Sequence, residues 1–362
     1  MGGHKVLMFG SNAYTGLTGD ERVIEAGINA MRKYGSGCAG SRFLNGTLDL
    51  HVQLEKELAT FVGKDEALCF STGFTVNSGV ISCLTDRNDY IICDDRDHAS
   101  IVDGRRLSFS QQLKYKHNDM ADLQRLLETE IVTGQRFIVT DGVFSMDGDI
   151  ADLPSLAVLK KQFNACLIVD DAHGVGVIGN DGSGTASHYG LTDVIDLQVG
   201  TLSKALAAEG GYVAGKKILI DYLINRSRPF IFSTALAPAT LAAANAALLL
   251  LQTQASKYLD SLRANSRLMR RLLLEGGLNV VEGITPIIPV VIGEAGLTMQ
   301  FADRLKSKGI LVSGIRPPTV PRGESRLRIT VTAAHCEEQL RQAAQIITAL
   351  WQELKHGEKK EG

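Results

Sequence analysis

Residues 199–215, "VGTLSKALAAEGGYVAG", place a single lysine, Lys204, among hydroxyl-bearing residues, alanines and glycines. They continue an apolar run typical of a buried strand, "VIDLQVG" at 194–200. Small neighbours leave room for a bound group, and hydroxyls beside a lysine favour an anion. A lysine amine also forms a Schiff base with an aldehyde. Most lysines simply lie at the surface. Other motifs of the chain are therefore needed to distinguish a surface lysine from one that binds an anion or forms a Schiff base.

Short apolar runs around this stretch alternate with helix-like segments. The runs lie between residues 67 and 215 and read "ALCFS", "YIIC", "RFIVTD", "CLIVDD", "IDLQVG" and "GYVAG". Candidate helices between them include 119–130 and 154–163. This alternation predicts an α/β fold with a mostly parallel sheet covered on both faces. Ligands of such sheets bind at the carboxyl ends of the strands.

The chain changes character after about residue 255. A long amphipathic helix is followed there by strand-like runs, among them "TPIIPVVIG" and "SRLRITVT", and by a last helix at 337–355. This order predicts a smaller α+β domain. We therefore divide the chain into an N-terminal segment at 1–40, a large domain at 41–255 and a small C-terminal domain at 256–362.

Composition narrows the class of protein. The 362 residues carry a net charge of −2, which disfavours nucleic acid or a membrane surface as the main partner. No two of the six cysteines have CxxC spacing, so we expect reduced thiols and neither disulfides nor a metal site. The N-terminus lacks an apolar stretch long enough for a signal peptide, and a cytoplasmic protein is expected.

An acid follows the strand that precedes Lys204. In "CLIVDDAHGVGVIG", 166–179, the apolar run ends at Asp170, and His173 comes three residues later. Asp170 and Lys204 follow successive strands, so both side chains can reach one crevice. An acid and a lysine in this arrangement fit pyridoxal 5'-phosphate (PLP), whose pyridine nitrogen stays protonated beside an acid while a lysine holds its aldehyde. The alternative is that Asp170 only caps a turn.

Other motifs supply groups that a phosphate and a substrate need. A phosphate is bound by backbone N–H groups, hydroxyls and a helix N-terminus, and "FSTGFTVNSGV" at 70–80 turns from a strand into a predicted helix. Thr201, Ser203 and the pair in "FSTAL", Ser233 and Thr234, add hydroxyls. Arg316, in "GIRPPTV", is a candidate fork for a substrate carboxylate, and a solvated arginine is the alternative.

His98 lies in "DRDHASIVDG", shortly after the "YIIC" run. Its ring could stack on an aromatic cofactor. Taken alone, a histidine held by hydrogen bonds in a loop is the simpler interpretation.

These motifs together resemble the α-oxoamine synthases, a family of fold-type I PLP enzymes. The likeness runs from "FGSNAYTGL" and "SGCAGSRFLNGT" through "HASIVDG", "GVFSMDGDIADL" and "VDDAHGVGVIG" to "FIFSTALAP" and "RPPTVPRGESRLRIT". Family members join an amino acid to an acyl thioester with loss of carbon dioxide. The resemblance implies a mostly parallel seven-stranded sheet in the large domain and a homodimer with active sites at its interface. Eleven residues precede Asn12, fewer than the family usually has.

The resemblance also implies roles for the matching residues. Lys204 would carry the cofactor and move protons at the substrate's α carbon, Asp170 would pair with the pyridine nitrogen, and His98 would stack on the ring. The other implied cofactor contacts are His173 and Ser145 at the 3-oxygen, and Gly73, Phe74, Thr201, Ser203, Ser233 and Thr234 around the phosphate, with Thr234 contributed by the partner subunit. The implied substrate contacts are Asn12 and Arg316 at the carboxylate, with Thr319 nearby.

Two branches of the family share the likeness. The second half, especially "IRPPTVPRGESRLRIT", resembles 8-amino-7-oxononanoate synthases, so we expect L-alanine to condense with pimeloyl-CoA or a pimeloyl-acyl carrier protein in biotin synthesis. The first half, with "GCAGSRFLNGTLDLH", is closer to serine palmitoyltransferases and 2-amino-3-ketobutyrate ligases. The alternative substrates are therefore serine with a long acyl-CoA, or glycine with acetyl-CoA.

Two other classes of protein are weighed against an α-oxoamine synthase. A nicotinamide dehydrogenase would carry GxGxxG directly after its first strand, and none is found there. A non-catalytic relative would be expected to lose the lysine, whereas Lys204 is present.

Overall fold

The structure is a computed structural model that describes residues 5–129 and 133–361, with backbone only for residues 129 and 356–361. It separates into two compact units. The larger comprises 16–144 and 150–255, and the smaller comprises the described part of 1–15, 145–149 and 256–362. Residues 1–40, predicted as one segment, are thus divided between the units. Residues 1–4 of that segment and residue 130 of the predicted helix 119–130 lie outside the described residues.

The described residues form the following elements in chain order. The strands are β1 (Leu7–Met8), β2 (Glu66–Phe70), β3 (Tyr90–Asp94), β4 (Gln111–Tyr115), β5 (Arg136–Asp141), β6 (Cys166–Asp170), β7 (Leu197–Thr201), β8 (Gly211–Gly215), β9 (Ile287–Gly293), β10 (Ile310–Leu311), β11 (Ser313–Ile315) and β12 (Ser325–Thr330). The α-helices are α1 (Glu21–Tyr34), α2 (Asp49–Val62), α3 (Gly73–Leu84), α4 (Ala99–Leu107), α5 (Met120–Thr129), α6 (Leu153–Gln162), α7 (Thr185–Tyr189), α8 (Lys217–Arg226), α9 (Arg228–Phe232), α10 (Pro238–Glu275), α11 (Ala295–Ser307) and α12 (Glu337–Glu361).

A seven-stranded sheet organises the larger unit. Its strand order is β2-β8-β7-β6-β5-β3-β4, and β8 runs antiparallel to both of its neighbours, whereas the other pairs are parallel. The predicted α/β fold with a mostly parallel seven-stranded sheet is confirmed. Because β2, β5, β6 and β7 all point the same way, their carboxyl ends share one edge of the sheet.

Both faces of this sheet are buried, as the continuous apolar runs predicted. Ile91 and Ile168 pack on one face with α3, α8 and α9, and Ile92 and Leu167 pack on the other with α5, α6 and α7. The strands are therefore held between two helical layers, and only their ends are available for chemistry.

The smaller unit has its own core and two small sheets. β12 lies between β11 and β9 in an antiparallel sheet, and β1 pairs in parallel with β10. Phe301 of α11 stacks on Trp351 of α12, with ring centroids 5.6 Å apart. α10 contributes residues to both units, and Gln254 inside it has non-helical backbone angles next to the boundary at 255.

All six cysteines are free. Among the residues that the structure describes, no helix is both long and apolar enough to cross a bilayer.

Candidate active site

Four segments of the larger unit bring polar groups to the shared edge of the sheet. Asp141 ends β5, Asp170 ends β6 and Thr201 ends β7, while Gly73 starts α3 shortly after β2. Asp170 is the register partner of Asp141 on one side and of Val199 on the other. The sheet therefore aligns the end of the Asp170 strand with those of its neighbours.

Asp170 is buried, with 6% of its surface exposed. One carboxylate oxygen, Oδ2, accepts a hydrogen bond from Asn77 Nδ2 at 2.5 Å, and Oδ1 accepts one from the Ala172 backbone N–H at 3.0 Å. Both oxygens act as acceptors, which is the pattern of an ionised carboxylate. Asp170 thus places a fixed negative charge at the end of β6.

His98 caps the N-terminus of α4. Its Nδ1 accepts a hydrogen bond from the Ser100 backbone N–H at 3.2 Å and lies 2.8 Å from Ser100 Oγ. Its own backbone N–H donates to Asp141 Oδ2 at 3.0 Å. Partial desolvation lowers the pKa of His98, the Lys204 cation lowers it further, and the Asp170 charge opposes both.

Lys204 lies half-buried in a tight turn after β7. The turn is closed by hydrogen bonds from Ala207 N–H to the Lys204 carbonyl at 3.2 Å and from Ala208 N–H to the Leu202 carbonyl at 2.9 Å. Burial and the Asp170 charge raise the pKa of Asp141, and Lys204 opposes that rise. Lys204, His98, Asp141 and Asp170 therefore act on one another electrostatically, as expected for groups in one crevice.

His173 is buried in the loop after β6, with 7% of its surface exposed. The loop is held by backbone hydrogen bonds from Gly174 and Val175 N–H to the Asp171 carbonyl, each 3.0 Å long. His173 therefore belongs to the fixed part of the sheet edge, three residues beyond Asp170.

The start of α3 and the end of β7 offer groups suited to an anion. The first N–H groups of a helix have no intrahelical acceptor, and Thr72 caps only one of them, that of Thr75 at 3.1 Å. Thr201 Oγ1 lies 2.8 Å from Ser203 Oγ and donates to the Gly210 carbonyl at 3.0 Å. Phe74, the second residue of α3, is 45% exposed.

Two glycines let the elements of this corner pack closely. A Cβ on Gly73 would lie 3.3 Å from both Cβ and Oγ1 of Thr201, and a Cβ on Gly211 would lie 2.6 Å from the Gly73 backbone. The residues present fit PLP: N–H groups and hydroxyls for its phosphate, the Lys204 amine for its aldehyde and the Asp170 carboxylate for its pyridine nitrogen.

Ser233 and Thr234 follow α9 in the same chain. The Thr234 carbonyl accepts a hydrogen bond from Ser71 Oγ at 3.4 Å, and Thr234 forms an isolated β-bridge with Ser41. Ser233 is half-buried and Thr234 is exposed. The predicted contact of Thr234 with the phosphate of a partner subunit stays a prediction.

Four predicted residues, Asn12, Ser145, Arg316 and Thr319, belong to the smaller unit. Arg316 and Thr319 are exposed on the segment after β11, where the Thr319 N–H donates to the Arg316 carbonyl at 3.1 Å. Asn12 and Ser145 are half-buried. Both contact an arginine that the sequence analysis missed.

That arginine is Arg328, buried on β12 with 5% of its surface exposed. Its Nη1 donates to Asn12 Oδ1 at 3.1 Å, and its Nε donates to the Ser145 carbonyl at 2.5 Å. Within the described part of the chain, its Nη2 has no hydrogen-bond partner. The neighbouring Arg326, by contrast, is paired with Asp147 and Glu324. A buried guanidinium with a spare donor is suited to a carboxylate, and the signal in the sequence was two arginines inside one strand, "RLRIT".

A family match, two relatives and a solved structure show which known proteins this chain is similar to. The family described as aminotransferase class I and II matches residues 4–347. A serine palmitoyltransferase of Bacteroides thetaiotaomicron is 55% identical over 98% of this chain and 90% of its own length. An 8-amino-7-oxononanoate synthase of Lysinibacillus sphaericus is 48% identical over 94% of this chain and 87% of its own. A solved serine palmitoyltransferase of S. paucimobilis with a bound PLP–myriocin aldimine superposes with a TM-score of 0.94 at 32% identity, covering 97% of this chain and 88% of the other.

Proposed function

This chain belongs to the aminotransferase class I and II family and, within it, to the PLP-dependent acyltransferases called α-oxoamine synthases, and from this premise we propose that it joins an amino acid to an acyl thioester with release of carbon dioxide. The observation that carries the proposal is the sheet edge itself. Lys204, Asp170 and His98 interact there next to a helix N-terminus that is open to an anion.

The residues of the larger unit divide the work of binding and proton transfer. When bound, PLP supplies an electron sink for negative charge at the substrate's α carbon. Asp170 would hold the pyridine nitrogen protonated, and the start of α3, with Thr201 and Ser203, would hold the phosphate. Lys204 would attach the cofactor and then, once the substrate amine has replaced it, accept the α proton as general base. His173 stays a candidate for the 3-oxygen, and Ser145, a residue of the smaller unit, stays a predicted contact for the same oxygen.

For the carboxylate of the amino acid we propose Arg328 together with Asn12. The support is the unused Nη2 of a buried arginine whose Nη1 already orients the Asn12 side chain. Arg316 and Thr319, predicted for the same task, stay proposals.

The substrate pair is chosen on similarity. We place serine and a long-chain acyl thioester first, because the palmitoyltransferase named above is the more similar of the two relatives, at 55% identity. Alanine and a pimeloyl thioester are the second candidate, supported by the motif at 315–330 and by the relative at 48% identity. A cytoplasmic location stays part of the proposal.

We also propose a homodimer. Phe43, Leu44 and Phe232, here called the apolar patch, are 57%, 81% and 71% exposed. The segments that carry them run side by side, since Ser41 pairs with Thr234 and the Ala235 N–H donates to the Gly40 carbonyl at 3.0 Å. Large exposed apolar side chains grouped in this way mark protein interfaces. The patch adjoins Thr234, the residue predicted to reach the partner's cofactor.

Exchange of the substrate's α proton tests the proposal without requiring the acyl substrate. The protein is loaded with PLP in heavy water, and serine, alanine and glycine are followed separately by proton NMR. We expect one of them to lose its α-proton signal in the wild type and to keep it in Lys204→Ala. No exchange with any of the three, while PLP is bound, would contradict the role of Lys204.

A further inference from the structure

Two buried side chains connect Asp170 to His98. Asn77, on α3, is fully buried, and Ser100, on α4, is 1% exposed. The Asn77 amide donates to Asp170 Oδ2 at 2.5 Å and to Ser100 Oγ at 2.8 Å. Ser100 Oγ then lies 2.8 Å from His98 Nδ1. We call this connection the Asn77–Ser100 bridge.

The direction of each hydrogen bond in the bridge is determined by its chemistry. An amide NH₂ only donates, so Ser100 Oγ accepts from Asn77 and has its own proton left for His98 Nδ1. The Ser100 backbone N–H, also only a donor, points to the same Nδ1 at 3.2 Å. Nδ1 therefore holds a lone pair, and the proton of the neutral imidazole is on Nε2.

We propose that Asn77 and Ser100 are positioning residues that fix His98 as the neutral ring with its proton on Nε2 and, through the same amide, orient the Asp170 carboxylate. This inference rests on the proposed function, in which both groups contact the cofactor. Nε2–H becomes the one donor that the neutral ring can offer to a cofactor or substrate oxygen. A purely structural role, in which Asn77 and Ser100 only join α3 to α4, would leave the protonation of His98 unaffected by their removal.

The bridge predicts the direction in which the titration of His98 shifts when Asn77 or Ser100 is replaced. The charged groups that act on the ring are Asp170, Lys204 and, through its bond to the His98 backbone, Asp141. Removal of the Ser100 hydroxyl deletes a hydrogen bond to the neutral ring. Removal of the Asn77 amide frees Asp170 Oδ2 to attract an imidazolium. Both changes favour the charged form, so His98 should titrate at higher pH in either variant.

The test is nitrogen-15 NMR of the full-length protein labelled on histidine, with and without PLP, with the His98 signals assigned from their loss in His98→Gln. In the wild type near neutral pH we expect an unprotonated Nδ1 and a protonated Nε2. Asn77→Ala and Ser100→Ala should each raise the titration midpoint of His98 by about half a pH unit or more. Both should also weaken PLP binding by roughly tenfold.

Two further variants serve as controls for Asn77→Ala and Ser100→Ala. Ser100→Thr keeps the hydroxyl and should restore the wild-type midpoint. Ser78→Ala removes a buried hydroxyl of α3 whose hydrogen bonds, within the described part of the chain, go to the Phe74 and Thr75 carbonyls, so it should change nothing. A proton on Nδ1 in the wild type, or unchanged midpoints in both alanine variants, would overturn the inference. If no substrate α proton exchanges but His98 titrates as predicted in the wild type and the variants, the proposed function is overturned and the inference about the bridge is not.

Discussion

Individual residues of the candidate site differ in how visible they are in the sequence. Asp170 and Lys204 could be predicted because each follows an apolar strand, and an acid or a lysine at a strand end is chemically conspicuous. Asn77 and Ser100 could not, and Arg328 was missed although two arginines inside one strand were a signal for it. Asn77 and Ser100 look like ordinary helix residues, and their partners are brought to them only by the packing of α3, α4 and β6.

Arg328 should matter more for the amino acid substrate than Arg316. Replacing Arg328 with Gln removes the charge-assisted hydrogen bonds to a carboxylate, so KM for the amino acid should rise about 10- to 100-fold with PLP binding unchanged. The matched variant Arg316→Gln removes an exposed guanidinium and should raise KM by a smaller factor. Steady-state kinetics at saturating acyl thioester measures both. A larger rise of KM in Arg316→Gln than in Arg328→Gln would assign the substrate carboxylate to Arg316.

Secondary-structure elements were predictable where burial is complete. The six apolar runs correspond to β2, β3, β5, β6, β7 and β8, because strands buried on both faces consist of consecutive apolar residues. β4, with the sequence "QQLKY", was not singled out. It lies at the edge of the sheet with mostly exposed side chains, so its polar composition gives no strand signal. The predicted helix 154–163 differs from α6 by one residue at each end, and the predicted helix 119–130 starts one residue before α5, its residue 130 lying outside the described residues.

The N-terminus of α2 should make the protein sensitive to acid. His51 is fully buried there and its Nδ1 accepts from the Leu48 N–H at 3.1 Å. Burial, with Arg42 adding to it, lowers the pKa of His51 to about 3. The unfolded state therefore binds the proton first, and stability falls as the pH drops from about 6.5 towards 3.

This acid sensitivity is measured by urea unfolding of the cofactor-free protein at pH 7.5 and pH 5. His51 should account for about 2 kcal/mol of the stability lost between these values, and His51→Gln should lack that part. His188→Gln, at an exposed histidine of α7, is the control. An equal loss in the wild type and His51→Gln would mean that His51 already carries a proton in the folded state.

The junction of β8 with α3 should tolerate no side chain. In Gly211→Ala the new Cβ would meet the Gly73 backbone at 2.6 Å, so the start of α3 has to move. We expect PLP affinity to fall at least about tenfold and the unfolding free energy to fall by about 1–3 kcal/mol. Gly19→Ala, where nothing lies within 4 Å of the new Cβ, should change neither. Titration with PLP and thermal unfolding measure the two effects. Unchanged PLP affinity in Gly211→Ala would mean that the start of α3 does not bind the phosphate.

At the scale of the whole molecule, the apolar patch should control assembly. Leu44→Asp places a charge on the most exposed member of the patch, so the mass measured by light scattering should drop from about twice 39.0 kDa to 39.0 kDa. Val158→Asp, at a residue of α6 that is 63% exposed, should keep the wild-type mass. A wild-type protein of 39.0 kDa, or an unchanged dimer in Leu44→Asp, would contradict this placement of the interface.

The whole-chain resemblance predicted more than any single motif. Family, fold and cofactor were all predicted, because many ordered motifs have to keep their separations to bring Gly73, Asp170 and Lys204 to one sheet edge. The substrate pair could not be predicted in the same way. Serine, alanine and glycine differ by a few atoms, and the chemistry proposed for Lys204 would serve all three.

The central claim is that this chain is an α-oxoamine synthase that depends on Lys204. The most direct measurement incubates the PLP-loaded protein with serine, alanine or glycine and with palmitoyl-CoA, pimeloyl-CoA or acetyl-CoA, and follows carbon dioxide release and the amino-ketone product by mass spectrometry. We predict one product from one dominant pair, serine with palmitoyl-CoA first, and none from Lys204→Ala. Retained PLP binding with no product from any pair, or full turnover by Lys204→Ala, would contradict the account.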